Sequence, residues 1–303
     1  MADPRPAHTP VLPEQVVACF STDGSRTVVD CTVGLGGHAE LLLEACPDLR
    51  IIGLDVDDEN LAAAARRLEA HADRVKLVHA SFAGLEQVLA EGDHGPVAGI
   101  LADLGVSSNQ ISDARRGLSF DIDGPLDMRL DRRLKTTAAD LVNGLSEGEL
   151  SDLLYFQSQE RHSRRIAKRI CQVRRQGRIS STVQLARIVA SAVGEHPDSH
   201  RRRIHPATRT FMALRMSINQ EPAALRELLR IAPAILAEGG RIAVISFHSV
   251  EDRIVKDDFR ARSREGIYRI LTKKPMVAND AERAANPRSR SAKLRIAERR
   301  ATR

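Results

Sequence analysis

A parallel, doubly wound α/β sheet interrupted by a helical insertion is the fold that this sequence predicts, on three observations. A glycine-rich turn, Gly34-Leu35-Gly36-Gly37-His38, joins a short apolar strand to an apolar-periodic helix. Short apolar strands then alternate with helical stretches as far as Asp103. From about Ile111 to Ile204 the alternation stops, and strand patterning resumes only at Arg241. Strands separated by helices pair in parallel and place their ligand at the carboxyl ends of the strands.

In chain order, Val28 to Val33 reads as a buried strand, and Ala39 to Ala45 as a helix whose amide-lined start faces the turn. Gly34, Gly36 and Ala39 also satisfy the dinucleotide spacing G-x-G-x-x-G/A, so the turn alone does not separate a nicotinamide cofactor from S-adenosylmethionine. Ile51 to Asp55 forms a second strand ending in a carboxylate, followed by an Ala-rich helix from about Asp58 to His71. Val75 to His79 and Val97 to Ala102 supply strands three and four. Residues 111–204 carry helical patterns broken by Gly117, Gly124-Pro125, Gly177 and Pro197. A helix from near Pro222, stopped by Gly239-Gly240, leads into a fifth strand, Arg241 to Ser246. Tyr268 to Lys273 and Lys293 to Ala297 alternate in strand fashion. The predicted organisation is one sheet domain from residues 1–110 and 205–303, with a helical insertion of roughly 90 residues at 111–204.

The bulk properties agree with a protein of two domains. The 303 residues suffice for more than one core, and 42% of them are hydrophobic. Lys plus Arg number 46 against 40 Asp plus Glu, and the basic excess gathers between Arg161 and Arg203 and after Arg283, which suits a polyanion partner as well as a solvated surface. Aromatic residues make up only 3% and Trp is absent, which argues against a base-stacking platform built from several rings. Cys19, Cys31, Cys46 and Cys171 show neither C-x-x-C spacing nor histidine clustering, so they read as small hydrophobes in a reducing compartment rather than as zinc ligands. No run approaches the length of a membrane span and no secretory leader is evident, so the expectation is a cytoplasmic protein without a membrane partner.

Asp30, Asp55 and Asp103 each end a predicted strand. Asp55 is placed to accept hydrogen bonds from a ribose diol. Phe82, just after the third strand, can set its ring against an adenine or simply join the core. Asp30 can equally cap a turn, and Asp103 a helix.

With these residues in place, the sequence resembles the bacterial S-adenosylmethionine-dependent methyltransferases known as RsmH or MraW. The resemblance runs through His8-Thr9-Pro10-Val11-Leu12, the glycine turn, Asp103-Leu104-Gly105-Val106-Ser107-Ser108 and Gly124-Pro125-Leu126-Asp127-Met128-Arg129. It continues in His205-Pro206-Ala207-Thr208-Arg209-Thr210-Phe211, Ser246-Phe247-His248-Ser249-Val250-Glu251-Asp252-Arg253 and Asn286-Pro287-Arg288-Ser289-Arg290-Ser291. It implies a Rossmann-like class I methyltransferase sheet with a helical insertion that helps to hold RNA. It also implies methylation of the exocyclic N4 of a cytidine in small-subunit ribosomal RNA. Carried over position by position, the cofactor contacts fall on Gly36, Gly37, His38, Asp55, Phe82, Asp103 and Gln110. The chain departs from the family at Gln157-Ser158-Gln159-Glu160, where an aromatic-Gly-Glu-Glu stretch is usual, and at Pro222, where leucine is usual.

The chemistry expected of such a site centres on Asp103, as acceptor for the target amine or as a cofactor contact only. His248, after the fifth strand, is a candidate proton relay or RNA contact, with a helix cap as its structural alternative. Methylation at carbon 5 would need a cysteine nucleophile, and none lies at the fourth-strand edge. Arg161, Arg165, Lys168 and Arg175 share a helical face and, with Arg201, Arg202 and Arg203, are candidate phosphate contacts for small-subunit ribosomal RNA or the small ribosomal subunit. The sequence leaves homodimer formation open. An NAD-dependent dehydrogenase and a non-catalytic RNA-binding protein are the competing readings.

Overall fold

The computed structural model describes residues 9–21, 26–194 and 205–301. Its elements are, in chain order, α1 (Pro13–Phe20), β1 (Arg26–Asp30), α2 (Gly37–Ala45), β2 (Leu49–Asp55), α3 (Asp58–Arg67), β3 (Val75–His79), α4 (Leu85–Glu91) and β4 (Val97–Asp103). There follow α5 (Ser108–Ser112), α6 (Ala138–Gly144), α7 (Glu147–Ser158), α8 (Ser163–Val173), α9 (Thr182–Val193) and α10 (Thr208–Ile218). The chain closes with α11 (Glu221–Ile235), β5 (Leu236–Ser246), α12 (Ser249–Arg264), β6 (Tyr268–Ile270), α13 (Asp280–Ala285) and β7 (Lys293–Arg299).

Contacts divide the chain into two compact units, Met1–Gly105 with Pro222–Arg303, and Val106–Glu221. The first contains a seven-stranded sheet in the order β3-β2-β1-β4-β5-β7-β6. The β1–β5 pairings are parallel, whereas β7 runs antiparallel to both β5 and β6. A dinucleotide-binding sheet of the doubly wound type has the order 3-2-1-4-5-6 instead. Strand alternation sorts the core into two layers. Val29, Ile52, Ile100, Ile242 and Val244 pack on one face with residues of α4, α11 and α12. Val28, Ile51, Leu101, Ala243 and Ile245 pack on the other with residues of α1, α2 and α3.

The second unit has its own apolar core, in which Leu150 and Leu154 of α7, Ile166 and Ile170 of α8, Leu185 and Val189 of α9, and Phe211 and Leu214 of α10 are brought together. Its limits differ from those read in the sequence, which assigned residues 205–218 to the sheet domain. The apolar stripe of α10 is buried in the helical core, and this side-chain packing is invisible to strand and turn patterns.

Two local differences have physical causes. The helix expected to reach Gly239-Gly240 ends at Ile235, because Leu236 already belongs to β5 and pairs with Val97 of β4. Pro222 sits at the second residue of α11, where a proline costs no helical hydrogen bond, so the exchange for leucine is accommodated.

Leu101 is fully buried in the layer beneath α1 and α2. Leu101→Ala is expected to lower unfolding stability by about 3 kcal/mol, read as an earlier urea midpoint at unchanged slope.

Candidate cofactor and acceptor site

The parallel register sets the depth of each strand-end acid. Asp30 lies opposite Gly53 of β2 and Leu101 of β4, so Asp55 and Asp103 each reach two residues, about 7 Å, farther along the same edge. The backbone crosses that edge in a tight turn, with Gly36 N–H bonded to the Val33 carbonyl at 2.8 Å. Gly36 has φ +80° and caps α2, and a Cβ there would lie 3.3 Å from Leu68, so both conformation and space call for glycine. At Gly37 a Cβ would meet Pro10 at 3.3 Å.

Asp55 binds the turn to its strand. Its Oδ2 accepts from Gly34 N–H at 3.0 Å and from Asn60 Nδ2 at 3.2 Å, and its Oδ1 accepts from Asp57 N–H at 2.9 Å. Burial pushes this carboxyl up to about 6, against the pull of these hydrogen bonds. A carboxylate accepts about four hydrogen bonds, which leaves capacity for a ribose hydroxyl.

Asp103 is fixed by its backbone and open at its side chain. Its N–H donates to Thr32 Oγ1 at 2.7 Å, and Oδ2 lies 3.7 Å from Nδ1 of His38. Oδ1 is buried and has no hydrogen-bond partner among the described residues. Burial raises the Asp103 carboxyl to about 7, opposed by the Arg288 charge and reinforced by Glu251. Asp30, fully enclosed at the end of β1, is likewise pushed up to about 7 by burial, with the His38 charge pulling it down. A buried acceptor without a donor is costly in an isolated protein. It suits a site that an amine or hydroxyl donor is to enter.

The remaining sequence candidates have distinct places. His38 is 7% exposed, and its Nε2 donates to the Val11 carbonyl at 2.8 Å. Nδ1 therefore faces Asp103, and burial lowers the imidazole pKa. His38 thus ties the N-terminal Val11 segment to the glycine turn. That segment is further held by Glu282, whose Oε1 accepts from Leu12 N–H at 2.7 Å, and by Asn286, whose amide donates to the Thr9 carbonyl at 3.1 Å. Phe82 is half-buried against the core in a short 3₁₀ turn after β3. Gln110 belongs to the second unit, where it is buried and its Oε1 accepts from Ser107 N–H at 2.9 Å in the capping box of α5.

His248 caps α12, accepting from Glu251 N–H at 3.4 Å through Nδ1, while Nε2 lies 3.2 Å from Glu251 Oε1. Nδ1 thus engages the first turn of that helix, while Nε2 is buried without a hydrogen-bond partner among the described residues. In the helical unit Arg161, Arg165, Lys168 and Arg175 are exposed on and beside α8, opposite the buried Ile166 and Ile170. Arg201, Arg202 and Arg203 lie outside the described residues.

Sequence reasoning missed Thr32, Asn60 and Arg288. The first two lie within two and five residues of Asp30 and Asp55, a local signal available in the sequence. Arg288 is brought near Asp103 only by the fold.

The raised acids set a pH dependence for stability. Between about pH 4 and pH 7 the folded chain holds protons on Asp30 and Asp103 that the unfolded chain has lost, so these groups make stability fall as pH rises through that window. The thermal midpoint of ligand-free Asp103→Asn is expected to fall less between pH 5 and pH 8 than that of the wild type, by differential scanning calorimetry.

The acids and the glycine turn occupy the edge where doubly wound sheets bind their ligands. The family model described as the MraW methylase family matches residues 5–300. A relative from Syntrophotalea carbinolica, named Ribosomal RNA small subunit methyltransferase H, is 48% identical over 95% of this chain and 96% of its own length. Proteins of the same name from Trichormus variabilis and Sorangium cellulosum are 46% and 47% identical, over 97% and 98% of this chain and 92% and 93% of their own lengths. Identity at this level across both units, and not the glycine turn alone, makes the chain a member of the MraW methylase family.

Proposed function

We propose that this chain transfers a methyl group from S-adenosylmethionine to the exocyclic N4 of a cytidine in small-subunit ribosomal RNA. Membership of a methylase family and the names of its relatives support methyl transfer to that RNA. The observation that carries the choice of acceptor is Oδ1 of Asp103 at the end of β4, buried and without a hydrogen-bond partner among the described residues.

When bound, S-adenosylmethionine supplies an electrophilic methyl group on a sulfonium. The residues that would hold it are the Gly36-Gly37 turn, whose backbone amides could approach it, Asp55, which could accept from its ribose, and Phe82, which could meet its adenine. His38 supports the turn through Val11. The cytosine amine is a poor nucleophile because its lone pair is delocalised into the ring. Asp103 Oδ1 accepts one N4–H, draws the nitrogen toward tetrahedral geometry and holds it in line. As the bond from N4 to the methyl carbon forms and the methyl–sulfur bond breaks, leaving a neutral thioether, N4 gives that proton to the Asp103 carboxylate, which passes it to solvent. His248 keeps the adjoining helix start in place as a positioning residue. A thiol route to carbon 5 is disfavoured: Cys31, the cysteine nearest these acids in sequence, is buried and its pKa is raised well above the usual thiol value.

Two further features favour this reading over its competitors. The antiparallel β7 between β5 and β6 departs from the dinucleotide order, against a dehydrogenase. The family description, a methylase, and the relatives' name, a methyltransferase, stand against a non-catalytic binding protein. The exposed Arg161, Arg165, Lys168 and Arg175 contact phosphates, the target base leaves its stack to reach the edge, and Arg201 to Arg203 extend the same basic run. No helix among the described residues is long and apolar enough to cross a membrane. Action on ribosomal RNA places the protein in the cytoplasm.

Asp103→Asn is expected to lower turnover about 100-fold while leaving S-adenosylmethionine affinity within about threefold, measured by transfer of labelled methyl to small ribosomal subunits and by calorimetry. Nucleoside digestion should return N4-methylcytidine. Label on carbon 5, or unchanged turnover, counts against Asp103 as acceptor. Because Asp103 must be ionised to accept, wild-type kcat/KM should rise with pH to a plateau above about 7.

A further inference from the structure

The sheet unit carries a second concavity remote from the glycine turn, a groove of about 490 Å³ between α12, β6 and the end of β7. Lys256 and Arg260 of α12, Arg269 and Lys273 at β6, and Arg295 and Arg300 at β7 line it, and no carboxylate does. Three of these cations already have partners: Arg295 meets Asp252 at 2.7 Å, Arg269 meets Glu298 at 2.6 Å, and Lys256 lies 3.6 Å from Asp257. Arg260, Lys273 and Arg300 are exposed and make no ion pair among the described residues.

We propose that this groove holds a stretch of phosphodiester backbone of the RNA substrate, outside the nucleotide that is modified. The inference rests on the reading of the chain as an RNA methyltransferase. Three uncompensated cations in one groove repel one another, and a polyanion relieves that repulsion while releasing its counterions. The layout suits a strand rather than a compact anion. β7 is antiparallel to both β5 and β6, so β6 runs parallel to β5. Lys273, past the end of β6, therefore lies toward the same sheet edge as Asp103, whereas Arg300, past the end of β7, lies toward the opposite edge. The cations are strung along the strand direction, and a backbone lying on them is led toward the acceptor edge. The groove's one aromatic residue, Phe259, is buried and stacked edge-on against Tyr268, leaving no exposed ring for a base. Contacts here are to phosphate and independent of base sequence.

The triple substitution Arg260→Gln, Lys273→Gln and Arg300→Gln tests this, since Gln keeps much of each stem and the residues are exposed. Binding of the full-length protein to ribosomal RNA and to small subunits is titrated across salt, alongside calorimetry with S-adenosylmethionine. The triple variant should bind RNA at least tenfold more weakly near physiological salt, with the slope of log affinity against log salt shallower by about 2 and cofactor affinity unchanged. A wild type that binds and methylates the RNA, beside a triple variant of equal affinity and slope, overturns the groove assignment and leaves the function standing. A wild type that neither binds nor methylates any ribosomal RNA overturns the function itself, and the groove assignment with it. Undiminished binding to naked RNA with weakened binding to subunits would assign the groove to an acidic protein surface and overturn the proposal. A companion substitution of Arg161, Arg165 and Lys168 to Gln measures the share carried by α8.

Discussion

Parallel pairing brings Asp30, Asp55 and Asp103 to one edge of the sheet, where removal from water makes each carboxylate cost more than it would at a surface. The surrounding structure answers that cost acid by acid. Asp55 is offset by three donors from the turn and the start of α3. Asp30 accepts from Thr32 N–H at 3.2 Å and feels the charge of His38. Asp103 has the charge of Arg288 in its field but keeps one oxygen without a hydrogen-bond partner among the described residues. The glycine turn, the packing of His38 on Val11, and the tether from Glu282 to Leu12 all serve to keep this edge closed around its acids.

The helical unit is stabilised by different means. Three of its helices, α6, α7 and α9, begin on capping residues: Thr137 with Asp140, and Ser146 with Glu149, close reciprocal boxes, and the Ser181 side chain accepts from Gln184 N–H. Arg174 donates to the Val142 and Leu145 carbonyls at the end of α6, satisfying acceptors that the helix leaves open. With its own apolar core, this unit needs no strand from the sheet for its hydrogen bonding. An insertion built this way can carry a charged outer face on α8 without compromising its interior, because the stripe of Ile166 and Ile170 is buried and the arginines are solvated.

Charge is therefore segregated by role. The acids gather where the sheet ends and water is excluded, and the cations gather on exposed helix and strand flanks. For an enzyme that brings a cationic cofactor to a polyanionic substrate, this separation has a simple electrostatic logic. Carboxylates at the sheet edge favour a cationic ligand, and exposed basic flanks favour a polyanion.

Much of this was legible in the residues. Strand and helix periodicity predicted the parallel sheet, its interruption after Asp103 and the acid at each strand end, because those patterns are local and repeat every two or 3.6 residues. The motifs around Gly36, Asp103, His248 and Asn286 pointed to the family before any coordinates. Other features depended on packing between distant segments. The membership of α10 in the helical core, the antiparallel β7 between β5 and β6, the approach of Arg288 to Asp103 and the basic groove beside α12 have no signature in sequence spacing. The sequence by itself determined which chemical groups the edge would carry. Only the tertiary structure decided which of them are satisfied, since whether an atom such as Asp103 Oδ1 meets a hydrogen-bond partner among the described residues depends on everything packed around it.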